Sequence, residues 1–312
     1  MKAAQAGVCS PDSTLVNLSA VFRVAALLAC ACTGVGAQTH ASPTISTHSF
    51  THGDGAVASY YSAEFGVAGA SEVLVFAYGG SGCVSWREYM ADYFDGLTGS
   101  ITVFALNKRH VPDDAAGSDC GRAFARENHP RRWVADFTAF ISQRVAAAAR
   151  RPRRVVLLGV SEGAYVAARV ARSRADVTDL VVIGDGAWTM RQCLTAQHGP
   201  GVVEAAWRSI AADANSLDRT WMGHPHRWWF DVMDLDATPD YLSLTVPILL
   251  GFGEKDESVP LASALALRDA FEQAGKRNLT IRVYAGADHT LVAGATNFRR
   301  QFFQELSRQL AR

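Results

Sequence analysis

From Val57 to the C-terminus, short aliphatic runs alternate with stretches of helical periodicity, and this rhythm restricts the fold more than any other feature of the 312-residue chain. The runs cover Val73–Ala77, Ile101–Leu106, Val155–Leu158, Leu180–Ile183, Ile248–Gly251 and Leu279–Tyr284. They are rich in Val, Ile and Leu with little polar alternation, as strands covered on both faces are. Helical patterns fall near Trp86–Phe94, Trp133–Ala149, Gly163–Arg172, Leu261–Gln273 and Asn297–Leu310. In the last of these, Phe298, Phe302, Leu306 and Leu310 share one helical face. Strands alternating with helices predict an α/β domain built on a mostly parallel, doubly wound sheet with helices on both faces.

One stretch departs from the rhythm. Residues 192–244 contain Trp207, Trp221, Trp228 and Trp229 between two expected strands, where a short connection would suffice. A small inserted helical cap over the carboxyl edge of the sheet is the preferred reading, because a structureless insert of this length would be unusual. A long crossover with ordinary aromatic core residues is the alternative.

Charge and cysteine usage narrow the function classes. Thirty basic residues balance thirty acidic ones, so no broad positive field favours nucleic acid or an anionic membrane. At the N-terminus, Arg23 precedes the apolar run Val24–Cys32, and Val35 and Ala37 stand at the spacing a signal peptidase reads. The expectation is a signal peptide over residues 1–37, cleaved after Ala37, and a periplasmic or secreted domain over residues 38–312. The apolar run is too short to span a membrane stably. The long polar leader Lys2–Ala20 leaves a downstream start open, and "LLAC" ending at Cys30 leaves a lipoprotein open. Cleavage would leave Cys83, Cys120 and Cys193, from which an oxidising compartment allows one pair and one leftover thiol. Without CxxC or matching His spacing no zinc site is expected, and "HPH" at His224–His226 reads as a surface loop. No cofactor is implied, and the oligomeric state is open.

Chemistry is expected at strand ends, because an open parallel sheet binds ligands there. "GVSEG" follows one run directly, with Ser161 two residues from Gly159 and two from Gly163. A strand that reverses sharply into a helix needs small flanking residues, and the turn would hold the Ser161 hydroxyl above the sheet. Serine needs a base oriented by a third group. His289, in "YAGADHTL", follows the last run and precedes the last helix. For the acid, Asp256 in "GEKDESVP" is preferred, with Asp185 in "VIGDG" as runner-up. "AYGGSG" after the first long run brings backbone close to a bound carbonyl. An N–H of Gly80 or Ser81, with that of Glu162, would form an oxyanion hole. Cys83 ends this loop, and a disulfide to Cys120 would fix it.

On these motifs the chain resembles the α/β-hydrolase superfamily from about Val57 to Leu310. "GVSEG" is similar to its nucleophile elbow, "GEKDESVP" to its acid turn, "GADH" to its histidine turn and "AYGGSG" to its oxyanion loop. Tyr78 stands where many members carry a histidine. "GGSGCVSW", "LNKRHVPD" and "DCGRAF" resemble an exported bacterial branch related to dienelactone hydrolases and prolyl oligopeptidases, without the propeller that precedes the oligopeptidase catalytic domain. The resemblance implies a serine hydrolase using Ser161, Asp256 and His289 through an acyl-enzyme and names no substrate; the aromatic insert and the neutral surface favour a small or medium uncharged carboxylic ester over a long peptide. The same machinery serves a peptidase, an amidase or an acyltransferase, and a non-catalytic binding protein on this fold is the remaining alternative. Because an imidazole must be neutral to accept a proton, hydrolysis is expected to rise with pH through roughly 6 to 7. A flat pH–rate profile between about pH 5 and 8 would remove His289 from the scheme.

Overall fold

The structure, a computed structural model, describes residues 43–66, 71–117 and 119–312. The expected leader over residues 1–37, its cleavage position after Ala37 and Cys30 lie outside the described residues. The described chain winds through an eight-stranded sheet: β1 (Ile45–Thr51), β2 (Val57–Phe65), β3 (Val73–Tyr78), β4 (Ile101–Leu106), β5 (Arg154–Val160), β6 (Asp179–Ile183), β7 (Ile248–Gly253) and β8 (Leu279–Tyr284). Their order across the sheet is β1-β2-β4-β3-β5-β6-β7-β8. From β4 to β8 every pairing is parallel, and β1 and β2 add an antiparallel edge.

Successive side chains of a strand point to opposite faces, so an unbroken aliphatic strand feeds two cores at once. In β5, Val155 and Leu157 enter one core, while Val156 and Leu158 enter the other. β3 divides Leu74 and Phe76 from Val75 and Ala77 in the same way. The first core is closed by α3 (Pro130–Ala146), α4 (Glu162–Ser173) and α9 (Leu261–Gln273), through residues such as Phe137, Val166 and Leu267. The second is closed by α1 (Met90–Tyr93) and α10 (Phe298–Leu310), with Phe302, Phe303, Leu306 and Leu310 inward.

Three expectations are corrected. The helix near Trp86–Phe94 shrinks to α1. Its apolar residues form an aromatic cluster instead, with Trp86 stacked on Phe94 at 5.9 Å and Phe94 against Phe303 at 5.2 Å. The helix at Trp133–Ala149 is α3, which begins earlier, at Pro130. Proline is favoured in a first turn, and the His129 side chain accepts from the Arg132 N–H. Strands β1 and β2 were not expected as runs, because β2 carries Ser59, Ser62 and Glu64 among its apolar residues, the mixture of an antiparallel edge. A further helix, α2 (Gly121–Glu127), lies in the loop after β4.

Between β6 and β7 the chain leaves the sheet for α5 (Met190–His198), α6 (Pro200–Ala212), a two-stranded hairpin at Thr220–Trp221 and His224–Pro225, α7 (His226–Val232) and α8 (Thr238–Ser243). This is the stretch expected at 192–244. It is bound to α4 by Asp240, whose buried carboxylate accepts from Arg169 at 2.6 Å and Arg172 at 3.0 Å. On the opposite face, the Phe302 ring fills the space over Gly251, where a Cβ would lie 2.8 Å from it. Phe302→Ala is expected to lower the unfolding free energy by about 3–5 kcal/mol in equilibrium denaturation, as buried Phe truncations do. A loss below about 1 kcal/mol would show that α10 does not close this core.

Candidate active site

Ser161 is the single residue between β5 and α4, and the backbone there is strained. Its φ is +53° and its ψ −125°, a region that costs a residue with a Cβ on the order of 1–3 kcal/mol. Surrounding contacts hold it. The Ser161 N–H donates to the Ile183 carbonyl at 2.9 Å, and the Ser161 carbonyl accepts from the Ala164 N–H at 2.8 Å. No side chain fits on either flank: a Cβ at Gly159 would lie 2.4 Å from Ala164 Cα, and one at Gly163 would lie 2.2 Å from the Tyr78 carbonyl oxygen. The spacing of glycines around the serine therefore has the steric cause expected of it.

Asp256 and His289 meet from two other turns. Asp256 follows β7 with its side chain fully buried. Oδ1 accepts the N–H groups of Ser258 and Val259, both at 2.8 Å, and Oδ2 lies 2.7 Å from His289 Nδ1. These partners replace the water that an ionised carboxylate would otherwise need. His289 follows β8 on a turn closed by Asp288, whose Oδ1 accepts from the N–H groups of Thr290 at 2.8 Å and Val292 at 3.0 Å. With Nδ1 turned to the carboxylate, Nε2 is the atom left to exchange a proton.

The imidazole lies against Gly184, where a Cβ would be 2.7 Å from its Cε1. Gly184 directly follows Ile183, the residue whose carbonyl holds Ser161. The Ser161 backbone and the imidazole are thus both held at the end of β6, and among the described residues no hydrogen bond joins the hydroxyl to the ring. Such contacts are often long before substrate binds. Asp185, the runner-up acid, accepts from the Tyr241 hydroxyl at 2.6 Å instead of from the imidazole.

The expected oxyanion donors also gather here. Gly80 lies directly over the serine, since a Cβ on it would be 3.2 Å from Ser161 Cβ. Ser81 is next in that loop and exposed, and Glu162 opens α4. None of these three backbone N–H groups finds an acceptor among the described residues. Cys83 and Cys120 form a disulfide, with Cα atoms 5.8 Å apart, that ties the end of the loop to the start of α2. Among the described residues Cys193 is the free, buried thiol, and burial pushes its pKa up to about 12, far from nucleophilic thiolate chemistry.

Lys108, from the segment after β4, was not singled out in the sequence. Its ammonium pairs with the Glu162 carboxylate and donates to the Gly80 carbonyl at 2.8 Å. The only available signal was a lysine in "LNKRH", just beyond a strand end. The expected surface loop at His224–His226 is also corrected. His226 is buried at α7, and the His224 ring stacks on Trp228 at 4.0 Å. Burial lowers the His224 pKa to about 4. The tryptophans fold this hairpin inward. No group of three or more metal-ligating side chains exists among the described residues, and no described helix is long and apolar enough to cross a membrane.

Beside Ser161 is a cavity of about 70 Å³ walled by Tyr165, Trp188, Trp228, Val232, Leu235 and Val259. Most of that wall comes from the chain between β6 and β7. A larger cleft of about 540 Å³, lined by His48, Arg144 and Arg153 among others, lies at the amino ends of the strands and touches none of the residues above.

A profile of the prolyl oligopeptidase family matches residues 111–310. No curated protein matches the chain. Among solved structures, a cold-adapted esterase from an Arctic intertidal metagenomic library is similar with a TM-score of 0.53 at 18% identity, over 86% of this chain and 94% of that one. A Pyrococcus furiosus esterase gives 0.55 at 13% identity, over 86% and 90%. A Pyrococcus horikoshii acylaminoacyl peptidase gives 0.57 at 14% identity, over 87% of this chain and 42% of that one. The fold is that of an α/β-hydrolase.

Burial pushes the Asp185 carboxyl up to about 6, against the hydrogen bond from Tyr241. Between roughly pH 4 and 6 the folded protein therefore keeps a proton that the unfolded chain has released, and stability falls as pH rises through that window. Asp185→Asn, which can still accept from Tyr241, is expected to raise Tm at pH 8 and leave it nearly unchanged at pH 4. Equal shifts at both pH values would show that the ionised carboxylate is not the cause.

Proposed function

We propose that this chain, a serine hydrolase that belongs to the prolyl oligopeptidase family, cleaves a carboxylic ester of a small or medium uncharged substrate through an acyl-enzyme on Ser161. The observation that carries the reading is the His289 imidazole, bound through Nδ1 to the buried Asp256 carboxylate at 2.7 Å and resting beside the backbone that holds Ser161. As Ser161 Oγ attacks the carbonyl carbon, its proton passes to His289 Nε2, and Asp256 stabilises the imidazolium. The carbonyl oxygen takes the negative charge and receives the N–H of Gly80 or Ser81 together with that of Glu162. Collapse breaks the ester bond, and the leaving alcohol takes the proton from Nε2. Water, deprotonated by the same nitrogen, then attacks the acyl carbon; the bond from that carbon to Ser161 Oγ breaks, Nε2 returns its proton to Oγ, and the acid is released.

The small cavity beside Ser161, walled mainly by apolar side chains with Glu162 and Asp185 also in its lining, supports a short, uncharged acyl group. A second reading, an amide or peptide substrate, is favoured by the family itself and uses the same steps. We also propose export as the setting, which the Cys83–Cys120 disulfide supports because such bonds persist in oxidising compartments. The N-terminal mass of the exported protein tests cleavage after Ala37.

A panel of p-nitrophenyl esters and aminoacyl p-nitroanilides, run with the parent and with Ser161→Ala, separates these readings. Ester turnover is expected to exceed anilide turnover, and Ser161→Ala is expected to lose about 10⁴-fold or more in kcat. Parent-like turnover by Ser161→Ala would refute the assignment, and preferential cleavage of the anilides would favour the peptidase.

A further inference from the structure

The oxyanion hole of the proposed reaction draws its donors from two separate pieces of chain, the loop after β3 and the first turn of α4. One side chain spans them. Lys108 Nζ donates to the Gly80 carbonyl at 2.8 Å and pairs with the Glu162 carboxylate. The same ammonium lies 5.0 Å from the centroid of the Trp133 ring on α3. The second Glu162 oxygen accepts the indole N–H of Trp228, on α7, at 2.9 Å. The Lys108 and Glu162 side chains are only 8% and 6% exposed, so both charges have left water.

These contacts constrain the atoms on which the hole depends. A peptide unit is planar and trans, so turning the Gly80 oxygen toward Lys108 turns the Ser81 N–H to the opposite side. Holding the Glu162 carboxylate anchors the residue whose own N–H opens α4. A buried ion pair is a poor stabiliser compared with apolar groups of the same volume, because desolvating two charges offsets their attraction. Its value lies in fixed geometry, and donors fixed before the reaction need no reorganisation as charge develops on the substrate.

We propose that Lys108 is a positioning residue that sets the spacing and orientation of the two oxyanion donors through its simultaneous contacts with the Gly80 carbonyl and the Glu162 carboxylate. The proposal rests on the hydrolase reading above and adds to it a residue that touches neither substrate nor reacting atoms.

Lys108→Met alone leaves the Glu162 carboxylate buried and unpaired, so the informative variant is Lys108→Met combined with Glu162→Gln, which removes both charges at similar volume. Its kcat and KM on an ester that the parent hydrolyses are measured with its Tm and its rate of labelling by a fluorophosphonate, which also needs the hole. The expected result is a fall in kcat of about tenfold to a hundredfold with KM within about twofold, and labelling slowed to a similar degree. Lys108→Arg, which keeps the charge but displaces the donor, is expected to show an intermediate loss with Tm near the parent's. Parent-like kcat and labelling in either folded variant, or a loss confined to KM, would overturn the proposal. Ser161→Ala is run in parallel. Should it keep the parent's turnover, the hydrolase reading fails and this proposal with it. Should it be inactive while the double variant matches the parent, only the role of Lys108 fails.

Discussion

The site depends on a close approach of backbone to backbone, where the first turn of α4 rests on the carbonyls at the end of β3. A Cβ at Gly163 would come within 2.2 Å of the Tyr78 oxygen and 2.7 Å of the Gly79 oxygen. With side chains at positions 159 and 163 the helix could not sit this low, and Ser161 could not be forced to its positive φ. The strain is local, while the force that sustains it is spread across two cores, since β5 lies in the middle of the sheet with buried residues on both faces. A well-packed interior can hold one residue in an unfavourable conformation because releasing it would disturb everything packed around it.

Strand order then determines who can meet whom. β6 and β7 lie between β5 and β8, so a side chain arriving after β8 must reach back across about 14 Å, three strand spacings, to the serine. The His289 turn does so by passing over the end of β6, and Gly184 leaves room for the ring. Asp256, arriving after β7, meets the imidazole on the way. Asp185 arrives closer to the serine, yet its carboxylate turns to Tyr241 and stays near neutrality in the acid range. Proximity along the sheet is thus less decisive than the direction in which each turn sends its side chain.

The chain between β6 and β7 supplies most of the wall beside Ser161 and is anchored to the same helix that carries it. Asp240 binds Arg169 and Arg172 of α4, and Trp228 donates to Glu162 at the head of α4. Anything that moves this segment therefore pulls on the serine's helix as well as on the cavity. The disulfide and Lys108 act on the other side, fixing the glycine loop at its end and its middle. Asp240, Trp228, the disulfide and Lys108 thus brace the candidate site.

What the sequence determined alone was whatever a local pattern can carry. The six parallel strands were legible because residues buried on both faces must be aliphatic throughout, and Ser161, Asp256 and His289 were legible because each stands just past such a run. β1 and β2 were not, since an antiparallel edge mixes polar with apolar residues, and the helix near Trp86 was misread because aromatic packing in an irregular segment imitates a helical face. His226 was taken for surface because nothing in "HPH" reveals that Trp228 and Trp229 draw it inward. Only the tertiary structure could decide between Asp256 and Asp185 as partner of the imidazole, or disclose that Lys108 lies between Gly80 and Glu162. Those facts depend on which strands are neighbours and where their turns point, and a hydrogen bond between residues 54 positions apart leaves no periodic trace in the chain.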